Sequence, residues 1–390
     1  MPPAFLSIAS LYGGFLRRSF ISAGLSSQTI RVDDETTVHF WGPENQTTQK
    51  PVLVLLHGFG PAAVWQWRHQ VEFFSSDFHV YVPDLIFFGG STSSSAERSE
   101  TFQASSMGKL VDKLQLKRFH VVGTSYGGFV AYNLAKMLGE RVEKVVIASS
   151  GVNLTKSDNA ALLKRAKLDQ MEELLLPSTP DQMRKLMTLC VYKRLHNMMP
   201  NFFLNDLINI LSSENRKEKL ELLEGLTLAK NDVSNISPLQ QEVLILWGEH
   251  DQIFPLNMAS QLQGVIGKKA RLELIKEASH LPQIEKPVEV REEASAAFGA
   301  LSFFIFLSLL NSNPSYSHIF IPFSPFPFGY CLWNSISLHK EQLNLLSSFT
   351  YLANPPNLPA HLQLHNSAKE PFTFFRQTQP RQSTYALKRH

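Results

Sequence analysis

The run Phe119-His120-Val121-Val122-Gly123-Thr124-Ser125-Tyr126-Gly127-Gly128 restricts the fold more than any other feature of this chain. An apolar strand signal passes through a G-x-S-x-G turn directly into the helical pattern of Tyr126 to Leu138. A strand-to-helix turn of this kind is so tight that side chains beside the serine would strike neighbouring backbone, so glycine flanks it at 123 and 127. Ser125 then stands on an elbow at the helix start, where the Tyr126 amide and the positive end of the helix can stabilise an oxyanion. Five residues could equally describe an ordinary Gly/Ser turn, so the partners must decide.

A serine hydroxyl needs a histidine to remove its proton and a carboxylate to fix that histidine's tautomer. The strand signal Glu242 to Gly248 delivers Glu249-His250-Asp251 onto a loop closed by Pro255, which makes Asp251 the candidate acid. A second strand signal, Ala270 to Ile275, leads to Ser279-His280-Leu281-Pro282 and makes His280 the candidate base. Upstream, the apolar strand Val52 to Leu56 ends in His57-Gly58-Phe59-Gly60-Pro61, a loop whose Phe59 amide is expected to join that of Tyr126 as an oxyanion donor. His57 itself is read as holding this loop through backbone hydrogen bonds. Asp84 precedes Ser125 in the chain and is read as a structural carboxylate, and Trp65 and Trp67 as packing residues.

The segments His57 to Pro61, Pro83-Asp84-Leu85, Gly123 to Gly128, Trp247 to Asp251 and Ser279-His280 together resemble the α/β-hydrolase superfamily over roughly residues 30 to 295. The loop His57 to Pro61, Ser125 to Gly128 and Leu176-Pro177-Ser178-Thr179-Pro180 are similar to a plant-type branch akin to the carbon-carbon hydrolases of meta-cleavage pathways. The resemblance implies Ser125, Asp251 and His280 as a triad, with no cofactor and no metal. One position departs from it: relatives carry an acidic residue before the serine in Phe87-Phe88-Gly89-Gly90-Ser91, and this chain has Gly90.

Strand signals at Val52 to Leu56, His79 to Val82, Phe119 to Val122, Lys144 to Ser149, Glu242 to Trp247 and Arg271 to Ile275 are mostly apolar on both faces. They predict an α/β fold with a mostly parallel sheet covered by helices on both faces and ligand loops at its carboxyl edge. Thr29 to Val32 and Thr36 to Trp41 read as an opening hairpin. The expected organisation is an amphipathic segment over 1–27, a core over 28–151 and 238–295, and a helical cap over 152–237. An apolar helix over 296–310 and a disordered tail over 311–390 complete it. Ser178 to Asp181 supplies a cap and a first-turn proline for one cap helix, and Met183, Met187 and Cys190 are read as cap core, the alternative being that apolar cap faces line the substrate pocket.

A chain of 390 residues with 44% apolar content can bury a full core, and its net charge of +3 is spread among acidic residues, so no nucleic-acid face is expected. Two cysteines, Cys190 and Cys331, offer neither a disulfide framework nor a metal-ligand spacing. Residues 1–27 lack acidic side chains and resemble a transit peptide, or else an amphipathic helix packed across the body. Cytoplasm is the expected compartment, with an organelle left open, and membrane association is not favoured. The expected partner is a small-molecule substrate: a small, mainly apolar ester or carbon-carbon bonded ketone. A slow-turnover small-molecule receptor and an acyltransferase are the alternatives on the same fold.

Overall fold

The computed structural model describes residues 7–45, 49–60, 62–211, 214–228, 230 and 236–299. Pro61, the part of the expected 296–310 helix from residue 300, and the expected tail 311–390 lie outside the described residues. Among the described residues nine strands form one sheet: β1 (Leu25–Arg31), β2 (Thr36–Pro43), β3 (Val52–Leu56), β4 (His79–Pro83), β5 (Thr92–Ser93), β6 (Phe119–Thr124), β7 (Val142–Ala148), β8 (Glu242–Gly248) and β9 (Ala270–Ile275). Their spatial order is β1-β2-β4-β3-β6-β7-β8-β9, with the short β5 beside β2. The pairings of β1 with β2, and of β2 with β4 and β5, are antiparallel. From β4 to β9 every neighbour is parallel.

The two-faced apolar character of these strands is what places the sheet in the centre. Val54, Val121, Val145 and Val243 sit side by side across β3, β6, β7 and β8, and all four enter the core on one face. Their chain neighbours Leu55, Val122, Val146 and Leu244 point the other way into a second core, as the period of two requires. Helices seal both faces. Along the chain they begin with α1 (Ile8–Ser22), α2 (Arg68–Phe74), α3 (Glu100–Lys113) and α4 (Tyr126–Leu138). Five helices follow with no strand between them among the described residues: α5 (Lys156–Ala166), α6 (Met171–Leu175), α7 (Pro180–Cys190), α8 (Asn201–Leu211) and α9 (Arg216–Gly225). The chain then returns to the sheet with α10 (Leu256–Ile266), α11 (Pro282–Glu285) and α12 (Pro287–Phe298). Helices α3, α4 and α10 cover the first face, and α1, α2 and α12 the second.

The N-terminal segment forms α1, capped by Ser7 and packed against α2 and α8. Helix α7 starts as its sequence suggests, with Thr179 accepting the Gln182 N–H and Pro180 in the first turn. Helix α12 runs past the point where the family-like pattern ends, because Val290, Ala294 and Phe298 recur every fourth residue and bury one stripe. Phe298 lies against Phe74, Phe78 and His120, with ring centroids 5.0–6.1 Å apart. The helix stops at Gly299, whose left-handed backbone closes it.

Candidate active site

Parallel strands bring their carboxyl ends to one edge, and the four loops of interest leave from the ends of β3, β6, β8 and β9. The elbow after β6 forces Ser125 to φ 51°, ψ −120°, a left-handed conformation that a serine adopts only when its surroundings hold it there. The glycines make that turn fit: a Cβ on Gly123 would run into the Gly127 carbonyl, and one on Gly127 into the Leu56 carbonyl. The Ser125 N–H donates to Ala148 O at 2.9 Å, which pins the elbow to β7.

The structure brings Ser125, His280 and Asp251 into one hydrogen-bonded chain. His280 Nε2 lies 2.9 Å from Ser125 Oγ, and His280 Nδ1 lies 2.9 Å from Asp251 Oδ2. An ionised carboxylate can only accept, so Nδ1 carries the proton and Nε2 is left as the acceptor for the serine hydroxyl. Asp251 is buried, and its second oxygen accepts the N–H groups of Ile253 and Phe254 at 2.8 and 3.0 Å. These bonds fix the carboxylate plane, while Trp247 Nε1 donates to Phe254 O at 2.9 Å and ties the same loop to β8. The Phe254 ring stands edge-on to His280 at 5.4 Å and shields the pair from water.

The loop after β3 is held by two side chains. His57 Nδ1 lies 2.8 Å from Gly58 O, and its Nε2 lies 2.9 Å from the Leu85 nitrogen. The first partner can only accept and the second only donate, so the ring is neutral with its proton on Nδ1. Complete burial agrees, since desolvation pushes the His57 pKa below the ordinary histidine value. Gln66, also buried, accepts the Gly58 N–H at 2.8 Å and turns its amide nitrogen toward Gly58 O at 3.5 Å. With Gly58 held on both sides, the next amide, Phe59 N–H, has no acceptor among the described residues. Tyr126 is the first residue of α4, so its N–H has no partner within the helix. A Cβ on Gly58 would come 3.0 Å from Ser125 Cβ, which measures how closely this loop approaches the serine.

Asp84 lies outside the Ser125 relay. Its carboxylate accepts from the Ala63 N–H at 2.8 Å and the Gly90 N–H at 3.1 Å, and meets His39 Nδ1 at 2.7 Å, so it fastens three segments. The departure at Gly90 has a local cause: a Cβ there would sit 2.8 Å from His39 Cβ, and the imidazole occupies the space of a side chain.

Above Ser125 a cavity of about 370 Å³ opens beneath α5 to α9. Trp65 lines it, as do Met183, Met187 and Cys190. Trp65 and Cys190 depart from a pure packing reading, and Met183 and Met187 do both jobs, since they also pack in the cap cluster with Leu204 and Ile208. Burial in this apolar wall pushes the Cys190 thiol far above its usual range, which leaves it an inert packing group. Apart from Ser125 and His280, the wall residues with polar side-chain atoms are Trp65, Gln66, Tyr126, Asn159 and Cys190, and no lysine or arginine among the described residues reaches it. The buried Lys219 ammonium is turned instead to the Phe88 ring, 5.2 Å from its centroid. Gln66 and Asn159 have no motif around them, and only three-dimensional placement reveals them.

The model of the alpha/beta hydrolase fold family matches residues 51–287, and the chain belongs to this family of hydrolytic enzymes. Similar proteins include monoacylglycerol lipase ABHD6 of Homo sapiens, 28% identical over 248 residues that cover 61% of this chain and 72% of the lipase. Another is 2-hydroxy-6-oxononadienedioate/2-hydroxy-6-oxononatrienedioate hydrolase 1 of Pseudomonas putida, 26% identical over 273 residues that cover 67% of this chain and 92% of that hydrolase. Among solved structures, the 2-hydroxy-6-oxo-6-phenylhexa-2,4-dienoate hydrolase of Rhodococcus sp. strain RHA1 shares the fold with a TM-score of 0.60. Its identity is 22%, and the match covers 71% of this chain and 99% of that one.

Proposed function

We propose that this chain is a serine hydrolase acting on esters with an apolar acyl group, with Ser125 as nucleophile, His280 as base and Asp251 as the orienting acid. The observation that carries this is the relay of two 2.9 Å contacts from Ser125 Oγ through the His280 ring to Asp251. His280 Nε2 takes the hydroxyl proton as Ser125 Oγ attacks the ester carbonyl, and the Phe59 and Tyr126 N–H groups receive the oxyanion. Collapse expels the alkoxide, which leaves with the proton from His280. A water molecule then gives a proton to the same nitrogen and attacks the acyl-enzyme, releasing the acid and restoring Ser125.

The cavity wall favours an ester over a carbon-carbon bonded dienoate. A substrate such as the dienedioate named for the Pseudomonas putida relative carries carboxylates, and burying them without a cationic partner costs several kcal/mol per charge. Among the described residues no lysine or arginine lines this cavity, whereas its leucine, methionine and phenylalanine side chains suit an acyl chain.

Ser125→Ala should lower turnover of a medium-chain p-nitrophenyl ester by about 10³-fold or more without lowering the melting temperature. Turnover that survives this change removes the assignment. Rapid labelling by a fluorophosphonate at Ser125 separates an enzyme from a slow-turnover receptor. Added alcohols that divert the acyl group in preference to water would mark an acyltransferase.

A further inference from the structure

Helix α1 has two apolar faces, and among the described residues only one is covered. Ala9, Gly13, Leu16 and Phe20 form the inner stripe and are buried, with Phe20 edge-on to Trp41 at 5.4 Å. Ile8, Leu11, Tyr12 and Phe15 repeat the helical spacing on an outer stripe that faces solvent. Leu11 is 64% exposed, and Ile21, one turn beyond Arg17, is 60% exposed. Five of the thirteen exposed large apolar side chains among the described residues lie on this one helix, too many for the scattered exposure of an ordinary surface. Phe202, 68% exposed at the start of α8, extends the patch. That helix docks on α1 with Asp206 Oδ2 accepting the Ala9 N–H at 2.9 Å, one turn from Phe202.

The charge beside the stripe has one sign. Arg17 and Arg18 are exposed and make no ion pair among the described residues. The first 32 residues of the chain contain no Asp or Glu. The acidic groups that do approach are engaged: Asp206 with the Ala9 N–H, and Glu72 with Arg68, whose guanidinium covers one side of the Phe15 ring at 4.7 Å. A second protein copy docking here would have to bury these arginines or bring acid to them. An anionic bilayer does neither, because apolar side chains enter the acyl boundary while guanidinium groups stay among the phosphates.

The stripe also adjoins the cavity. The Tyr12 ring lies 5.6 Å from Trp65, and Trp65 lines the cavity above Ser125. No helix among the described residues is long and apolar enough to cross a membrane, and docking on the surface needs none. We propose that the outer stripe of α1, with Arg17 and Arg18, is a docking surface for an anionic lipid bilayer and sets the cavity wall at Trp65 next to it.

The test is co-sedimentation of the full chain with phosphatidylcholine vesicles, with and without about 30% phosphatidylglycerol. Binding to the anionic vesicles should exceed that to neutral ones by about tenfold and weaken as salt rises. Leu11→Glu combined with Phe15→Glu should lower it by about tenfold or more, with the melting temperature and turnover of a water-soluble ester unchanged. Arg17→Gln with Arg18→Gln should remove the preference for anionic vesicles. Ser125→Ala should bind as the parent does, so this outcome is separate from the chemistry at Ser125. No binding, or binding that the Leu11 and Phe15 changes leave intact, overturns the proposal. So does a concentration-dependent dimer, seen by light scattering and abolished by those same changes, because it would assign the stripe to a second copy.

Discussion

At the scale of single residues, the site divides into groups proposed to do chemistry and groups that aim them. That Ser125, Asp251 and His280 meet was legible because each follows a strong apolar strand signal and the proposed chemistry needs those three types on neighbouring loops. Gln66 was not legible, since a glutamine eight residues past Gly58 has no local pattern and matters only because its amide closes on that glycine. Trp65 reads as packing for the same reason, and its place on the cavity wall depends on the cap. The clamp on Gly58 leads to a prediction about aim. Gln66→Leu removes the acceptor of the Gly58 N–H, frees the peptide before Phe59 and weakens one oxyanion donor. The kcat for an ester should fall by about tenfold to a hundredfold while KM stays within about twofold, since the loss is felt in the transition state. An unchanged kcat in a folded variant would show that Phe59 is held by other means.

At the scale of elements, the histidine loop is suspended between sheet and cap. Ser279 Oγ donates toward Leu189 O at 2.9 Å and His250 O at 3.0 Å, and the His280 N–H donates to Cys190 O at 3.1 Å. Helix α7 therefore ends against the backbone of the base. The other side of the cap is tied down at α9, where Glu221 meets Arg98 at 2.7 Å and the Thr227 N–H donates to the buried Glu100 carboxylate at 2.9 Å. None of this is visible in the helical periodicity of the cap, which reports which side chains share a face but not which carbonyl lies at a helix end. Ser279→Ala should cost about 1–2 kcal/mol of stability and lower kcat several-fold. Chemical denaturation and ester kinetics on the same variant check both, and a loss of stability with full activity would mean that the loop holds its register without the cap. The closing helix shows the reverse case: its stripe of Val290, Ala294 and Phe298 was present in the sequence, but the apolar run that follows obscured where the helix ends.

At the scale of the whole molecule, the two-sided apolar strands made the layered fold legible, and the strand order had to come from tertiary structure. Crossovers between parallel strands are right-handed almost without exception, yet that rule leaves open which strand lies beside which. Burying so much of the chain also sets how the protein responds to acid. Desolvation lowers the pKa of His57, and also of His120 at the far edge of the sheet, below the ordinary value of 6.5. Above that value both rings are neutral whether folded or not, and these groups make stability independent of pH. As pH falls below it, the unfolded chain takes up protons that the folded chain refuses, so stability declines toward the lowered folded pKa values. Each proton contributes at most about 1.4 kcal/mol per pH unit. Urea unfolding at pH 8.5, 7.5 and 5 should give nearly equal stability at the first two and a clear loss at the third, and a flat profile would contradict the neutral His57 required by its two hydrogen bonds.

The bond from the His280 amide to the carbonyl of Cys190 has a consequence for the catalytic cycle. The roof over the cavity is also the bracket that carries the imidazole, so in the proposed reaction any lifting of α7 would take the proposed base out of line with Ser125. Entry and proton transfer would then belong to different moments, and water beneath a raised roof would meet a serine without its base.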